Sequence, residues 1–145
     1  MRILSITAQK PNSTGSGIYL TELVKEYGRK GHTQAVVAGV YREDAVELPK
    51  GVDFYPVYFE EGELPYPIVG MSDEMPYKST RYCDMTKEMR AQFERAFLKV
   101  ITQAVEQCNP DLILCHHLYL LTAFVREHFP KRRVYGFCHN TDLRQ

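Results

Sequence analysis

The sequence predicts an α/β domain, a parallel sheet with helices packed on both of its faces. Three observations carry that reading. Apolar runs with little polar alternation recur at residues 2–7, 35–40, 54–59, 111–115 and 134–138, the pattern of strands buried on both sides. Helical spacing of apolar residues separates the first two runs, and again the later ones. Strand, glycine-containing segment, helix and strand also follow one another within about forty residues, which is a βαβ unit. Its strands should be parallel and its crossover right-handed.

Each element has its own signal. Residues 2–7 form a short buried strand bounded by polar residues. The stretch 10–17, rich in Pro, Asn, Ser, Thr and Gly, predicts an irregular loop. Leu20, Leu23, Val24 and Tyr27 stand at helical spacing, and Gly28 and Gly31 bracket the helix end. Ala35–Val40 is the second strand and Phe54–Phe59 the third. A long helix capped near Asp84 or Thr86 carries Met89, Phe93, Phe97, Val100, Ile101, Ala104 and Cys108 on one stripe. Asn109-Pro110 ends it, and Asp111–Cys115 is a fourth strand. Residues 117–128 form a further helix, closed by Phe129-Pro130, and Val134–Cys138 is the fifth strand.

Residues 60–86 differ in character. They hold Pro65, Pro67 and Pro76 with Tyr66, Tyr77 and Tyr82, and show no periodicity. Two readings stand: a variable surface insertion, or a wall or lid of a cleft in which tyrosines meet a ligand. The fifth strand runs into His139–Asp142 with no covering helix before Gln145. Residues 1–145 therefore read as one domain that is cut short or completed by something else. An exposed edge of that kind would favour homo-oligomers.

Composition narrows the function. Eighteen Lys and Arg balance eighteen Asp and Glu, so the charge offers nucleic acid no attraction. Lys131-Arg132-Arg133 reads as a solvated turn. No apolar stretch approaches the roughly 18 residues of a membrane span, and no secretory pattern opens the chain. Four cysteines without C-x-x-C pairing read as free thiols. A cytoplasmic protein, at most peripheral at the membrane, is expected.

Ligands of open parallel sheets bind beyond the carboxyl ends of the strands. Here those ends carry Gly15-Ser16-Gly17, then His116 and His117, then His139 with Asn140 and Asp142. The glycine segment opens into a helix, whose free N–H groups can seat phosphate or carboxylate; the plainer reading is a flexible turn. It is a poor dinucleotide fingerprint, because Leu20 stands at the third glycine position and no acidic residue ends the second strand. No Gly-Lys-Ser/Thr exists for a Walker loop. His139 can hydrogen-bond a sugar hydroxyl or share charge with a phosphate, or simply cap its strand. Cys115-His116-His117 and Cys138-His139 raise zinc, but strand cysteines usually bury as small apolar groups, and no metal is predicted. G-x-S-x-G is absent and Ser16 follows no evident strand-to-helix elbow, so no nucleophile is predicted.

These residues occur in a familiar order. Pro11…Gly15-Ser16-Gly17…Leu23…Gly31-His32, then Pro110-Asp111-Leu112-Ile113…His116-His117, then Cys138-His139-Asn140-Thr141-Asp142, together resemble the N-terminal domain of family-four glycosyltransferases. The resemblance implies the incomplete N-terminal, Rossmann-like domain of a GT-B fold, residues 1–145. It implies a retaining transferase that moves a sugar from a nucleotide-sugar donor to a sugar, lipid or small-molecule acceptor, with no cofactor beyond that co-substrate. His139 would be the catalytic histidine, and Gly15, Ser16 and Gly17 the donor diphosphate loop. His116, His117, Asn140, Asp142, Tyr66 and Tyr77 would line the acceptor side of the cleft. The C-terminal domain of the family, with its basic residue and paired glutamates, has no counterpart in these residues, so this chain alone is expected to be inactive. Two alternatives are a GT-B nucleotide-sugar epimerase, for which Lys10 could serve but lacks paired carboxylates, and a non-catalytic binding module.

Overall fold

Along the central strands, successive residues are buried on alternate faces of one sheet. The computed structural model describes residues 1–144. In chain order the elements are β1 (Arg2–Thr7), α1 (Gly15–Arg29), β2 (Thr33–Val40), β3 (Asp53–Tyr58), β4 (Val69–Gly70), β5 (Thr80–Arg81), α2 (Lys87–Cys108), β6 (Leu112–His116), α3 (Leu120–His128) and β7 (Val134–Phe137). A 3-10 turn, Asn140–Leu143, follows β7.

Five strands form an all-parallel sheet in the order β3-β2-β1-β6-β7. This is a Rossmann-like α/β arrangement, with the order reversing between β1 and β6. Leu4, Ile6, Ala35, Val37, Ile113 and Cys115 project to one face, where Phe93, Phe97 and Ile101 of α2 and Phe124 and Val125 of α3 cover them. Val36 and Ala38 project to the other, beneath Leu20 and Val24 of α1. Both faces being dry explains the absence of polar alternation in these strands.

Caps set the helix ends. Thr86 begins α2 by accepting a hydrogen bond from the Met89 amide at 3.1 Å, and Asn109 ends it in the left-handed conformation at φ 42°. Thr14 begins α1, its Oγ1 accepting from the Gly17 amide at 3.2 Å. The expected loop at Gly15–Gly17 is therefore corrected: these residues are the first turn of α1. The expected helix start at residue 117 is corrected as well. His117 takes φ 73°, Tyr119 is extended, and α3 starts only at Leu120.

Residues 60–86 pack against the body rather than projecting from it. Leu64, Tyr66, Ile68 and Val69 are buried in the same core as Phe59, Phe93 and Phe97. Hydroxyl groups pin the segment: Tyr66 donates to the Met89 carbonyl at 2.7 Å and Tyr41 to the Lys78 carbonyl at 2.7 Å. No helix among the described residues is long and apolar enough to cross a membrane.

Close backbone approach sets one glycine that matters for the site. A Cβ on Gly39 would lie 2.2 Å from the Ala8 carbonyl oxygen and 2.9 Å from the Phe59 ring. Gly39 thus lets the chain leaving β1 lie flat across β2 on its way to α1. Gly39→Ala should destabilise the protein by about 1–3 kcal/mol, the usual cost of overpacking. Urea unfolding checks this, and an unchanged midpoint would show that Ala8 can move freely.

Candidate functional site

Where the strand order reverses, β1 hands its chain to α1 on one face and β6 receives its chain from α2 on the other. The carboxyl ends of these two strands part there, leaving a crevice. It holds a cavity of about 410 Å³ lined by Gln9, Thr14, Gly15, Ser16, His117, His139 and Asn140. Met71, Ser72, Glu74 and Pro76 close its outer side. The segment 60–86 is therefore a wall of the cleft.

Each lining group is placed by a local cause. Ser16 occupies the second position of α1, fixed by the Thr14 cap. The amides of Gly15 and Ser16 have no hydrogen-bond partner among the described residues, as expected of a helix's first turn. Gly17 lies behind them. A Cβ there would fall 2.5 Å from the Lys10 carbonyl oxygen, so this glycine permits the chain before α1 to cross it and is not part of the cavity lining.

His116 and His117 separate sharply. His116 is still on β6 and turns inward, 4% exposed, stacked on Phe137 at 4.9 Å. His117, in its left-handed conformation, turns into the cavity. Its Nε2 lies 3.0 Å from Ser16 Oγ and its Nδ1 3.2 Å from Asp142 Oδ1. Asp142 reaches back from the 3-10 turn, and its Oδ2 accepts the His139 amide at 2.7 Å. His139 Nε2 in turn lies 3.4 Å from His116 Nδ1. Five residues on three strand ends are thus joined in one network. As the sequence predicts, Ser16 stands at no strand-to-helix elbow, because residues 8–14 separate β1 from α1; its hydroxyl nonetheless lies against an imidazole that a carboxylate holds.

The remaining residues lie elsewhere. Tyr66 is in the core, 8% exposed, its ring 5.9 Å from Phe59. Tyr77 backs the cavity wall, its hydroxyl accepting from the Lys10 amide at 3.4 Å and its ring 4.8 Å from the Lys10 ammonium. Burial pushes both phenols up to about 12, so they act as neutral structural groups. Cys115 is buried, its thiol pushed up to about 12 by desolvation, and Cys138 is exposed. No cluster of three metal-ligating side chains occurs among the described residues.

The lining residues Gln9, Thr14, Met71, Ser72 and Glu74 are not singled out by sequence reasoning, and Pro76 is marked only as part of the segment 60–86. Thr14 carries a usable signal, a Thr immediately before an amphipathic helix. For Met71, Ser72 and Glu74 no local signal exists, because their position depends on how the segment folds back.

The three imidazoles are held neutral. Burial drives His116 down to about 3. Burial also lowers His117, against the opposing pull of Asp142, and lowers His139, again with Asp142 opposing. Neutral rings beside free amides suit an uncharged hydroxyl or an oxyanion better than a cation. No family model matches this chain, and no curated protein matches it.

The depressed histidines predict a pH dependence. The unfolded chain binds protons on these rings below about pH 6.5 while the folded chain resists, so stability is full above that pH and falls as the pH drops. For His116 the loss continues toward about 3, at a slope near 1.4 kcal/mol per pH unit. Urea unfolding between pH 7.5 and 4.5 measures it. His116→Phe should flatten the slope by about that amount, and an equal slope in the variant would place the proton uptake elsewhere.

Proposed function

We propose that this chain is the acceptor-side, N-terminal part of a retaining glycosyltransferase of GT-B architecture, using a nucleotide-sugar donor. The observation that carries the reading is that His139 and the first turn of α1 line one cavity at the point where the strand order reverses. The resemblance of the ordered motifs suggests the family, and the shared cavity lining of Gly15, Ser16, His117, His139 and Asn140 supports reading them as one site. Gly15 and Ser16 offer amides toward an anionic group, and neutral His139 offers a hydrogen bond to a sugar hydroxyl. Asn140 adds an amide on the same rim.

The epimerase alternative asks for a basic residue facing the sugar. Lys10 is the only such residue the sequence suggested, and its ammonium is paired with Asp44 at 2.7 Å. Tyr41 and Tyr77 cover that ammonium with their rings at 4.5 and 4.8 Å. It is committed to holding the wall. Transfer also needs the departing diphosphate to be stabilised in register with the acceptor, which the present lining supplies only from one side.

Titration by amide-resolved NMR tests the proposal. Monosaccharides and polyols should shift Gly15, Ser16, His117 and His139, and UDP- and GDP-sugars should bind weakly. His139→Ala should weaken the acceptor by about tenfold, the worth of one hydrogen bond. Radiolabelled sugar nucleotides should give no turnover above blank with this chain alone. Shifts confined to surfaces away from the cavity would sink the reading.

A further inference from the structure

We infer that Ser16, His117 and Asp142 form a nucleophilic relay, in which Ser16 Oγ attacks the carbonyl carbon of a small carboxylic ester held in the cavity beside α1. The inference is independent of the glycosyl-transfer reading and concerns the same cavity.

The geometry is that of nucleophile, base and orienting group in line. Ser16 Oγ to His117 Nε2 is 3.0 Å, and His117 Nδ1 to Asp142 Oδ1 is 3.2 Å. The side chains of His117 and Asp142 are only 9% and 4% exposed. Asp142 accepts at one oxygen from the His139 amide, which leaves the other to take the Nδ1 proton of His117. That choice of tautomer presents Nε2 as a lone pair, and Ser16 is the nearest donor to it. Gln9 Nε2 stands farther away, at 3.5 Å, beyond good hydrogen-bond length. Ser16 Oγ also lies 3.2 Å from Thr14 Oγ1, which donates to Gln9 Oε1 at 3.3 Å and accepts from the Gly17 amide; the imidazole nitrogen, at 3.0 Å, is the nearer acceptor for the Ser16 proton.

Placement on the helix adds a second requirement. Ser16 stands in the first turn of α1, where the helix dipole stabilises negative charge. The partnerless amides of Gly15 and Ser16 are the donors available to an oxyanion. His117 is held in the left-handed region, a conformation uncommon outside glycine, though histidine enters it more readily than most residues, and one that clusters at functional sites. Burial keeps its ring neutral, the state a base needs, with Asp142, His139 and His116 as the titratable groups around it.

Acylation and deacylation use the same three groups. Ser16 Oγ bonds to the ester carbonyl carbon while its proton passes to His117 Nε2, and the carbonyl π pair moves onto oxygen. Collapse of that intermediate breaks the bond to the alcohol oxygen, which leaves with the proton from His117. Water then attacks the acyl-serine through the same base, releasing the acid and restoring the hydroxyl. The cavity, about 410 Å³, admits a small ester, and Met71 and Pro76 give its acyl part an apolar wall.

A fluorophosphonate probe with the wild-type chain tests this directly. Mass spectrometry should map a single adduct to Ser16, formed in the folded protein and lost when urea unfolds it before labelling. Ser16→Ala should abolish the adduct, and His117→Gln and Asp142→Asn should each slow it by about a hundredfold or more. p-Nitrophenyl acetate should give a burst of p-nitrophenol that Ser16→Ala removes. The wild-type mapping needs no variant, so a misfolded substitution leaves the result intact. No adduct on Ser16, or one formed equally fast in the unfolded chain, overturns the inference. Labelling of Ser16 without carbohydrate-induced shifts would leave the relay standing and the glycosyl-transfer reading fallen; the converse would do the reverse.

Discussion

A parallel sheet whose strand order reverses cannot close over the ends of the two strands at the reversal. Here those strands are β1 and β6, paired from Ile3–Leu112 to Ile6–Cys115. The connection from β1 rises to α1 on one face, while α2 has come down the opposite face before entering β6. No short connection spans the gap, so backbone amides, a helix N-terminus and the side chains at both strand tips meet around an open space. Every feature of the candidate site follows from that constraint. The buried helices α2 and α3 hold one side, α1 the other, and the segment 60–86 supplies the outer wall.

Within that frame, Asp142 does most to make the rim one unit. Its carboxylate takes the His139 amide with one oxygen and faces His117 with the other. The tip of β7 is thereby tied to the tip of β6, and through Ser16 to α1. A buried carboxylate is costly unless its acceptors are filled. A buried imidazole without a fixed tautomer is a weak and unselective partner. Each group answers the requirement of the next, which is why a network this polar can stand at the end of an apolar sheet. Tyrosine hydroxyls do a similar task for the wall, where Tyr41 donates to the Lys78 carbonyl and Tyr66 to the Met89 carbonyl.

The elements themselves were legible in the residues. Val36 and Val37, or Ile113 and Leu114, are adjacent and all apolar because opposite sheet faces both need covering, and that pattern has few other causes. Phe93, Phe97 and Ile101 lie on one helical stripe because that stripe meets the sheet. The boundaries that went astray did so for a local reason. Glycines at 15 and 17 suggested a loop, yet a Thr14 cap outweighed their weak helix propensity. His117 looked like a helix start, yet its positive φ delayed α3 by three residues.

The chain's order of residues determined the parallel α/β class, the five strands of the main sheet, and the gathering of glycine and histidine at strand ends, since all of these rest on periodicity and short-range spacing. Only the tertiary structure decided that His117 and not His116 faces the cavity, that Tyr66 belongs to the core, and that Ser16 meets His117, which Asp142 holds from its other side. Those outcomes depend on contacts between residues about a hundred positions apart and on a single backbone torsion. Neither leaves a mark in local sequence, because the same residue types at the same spacing fit equally well whichever way the ring turns.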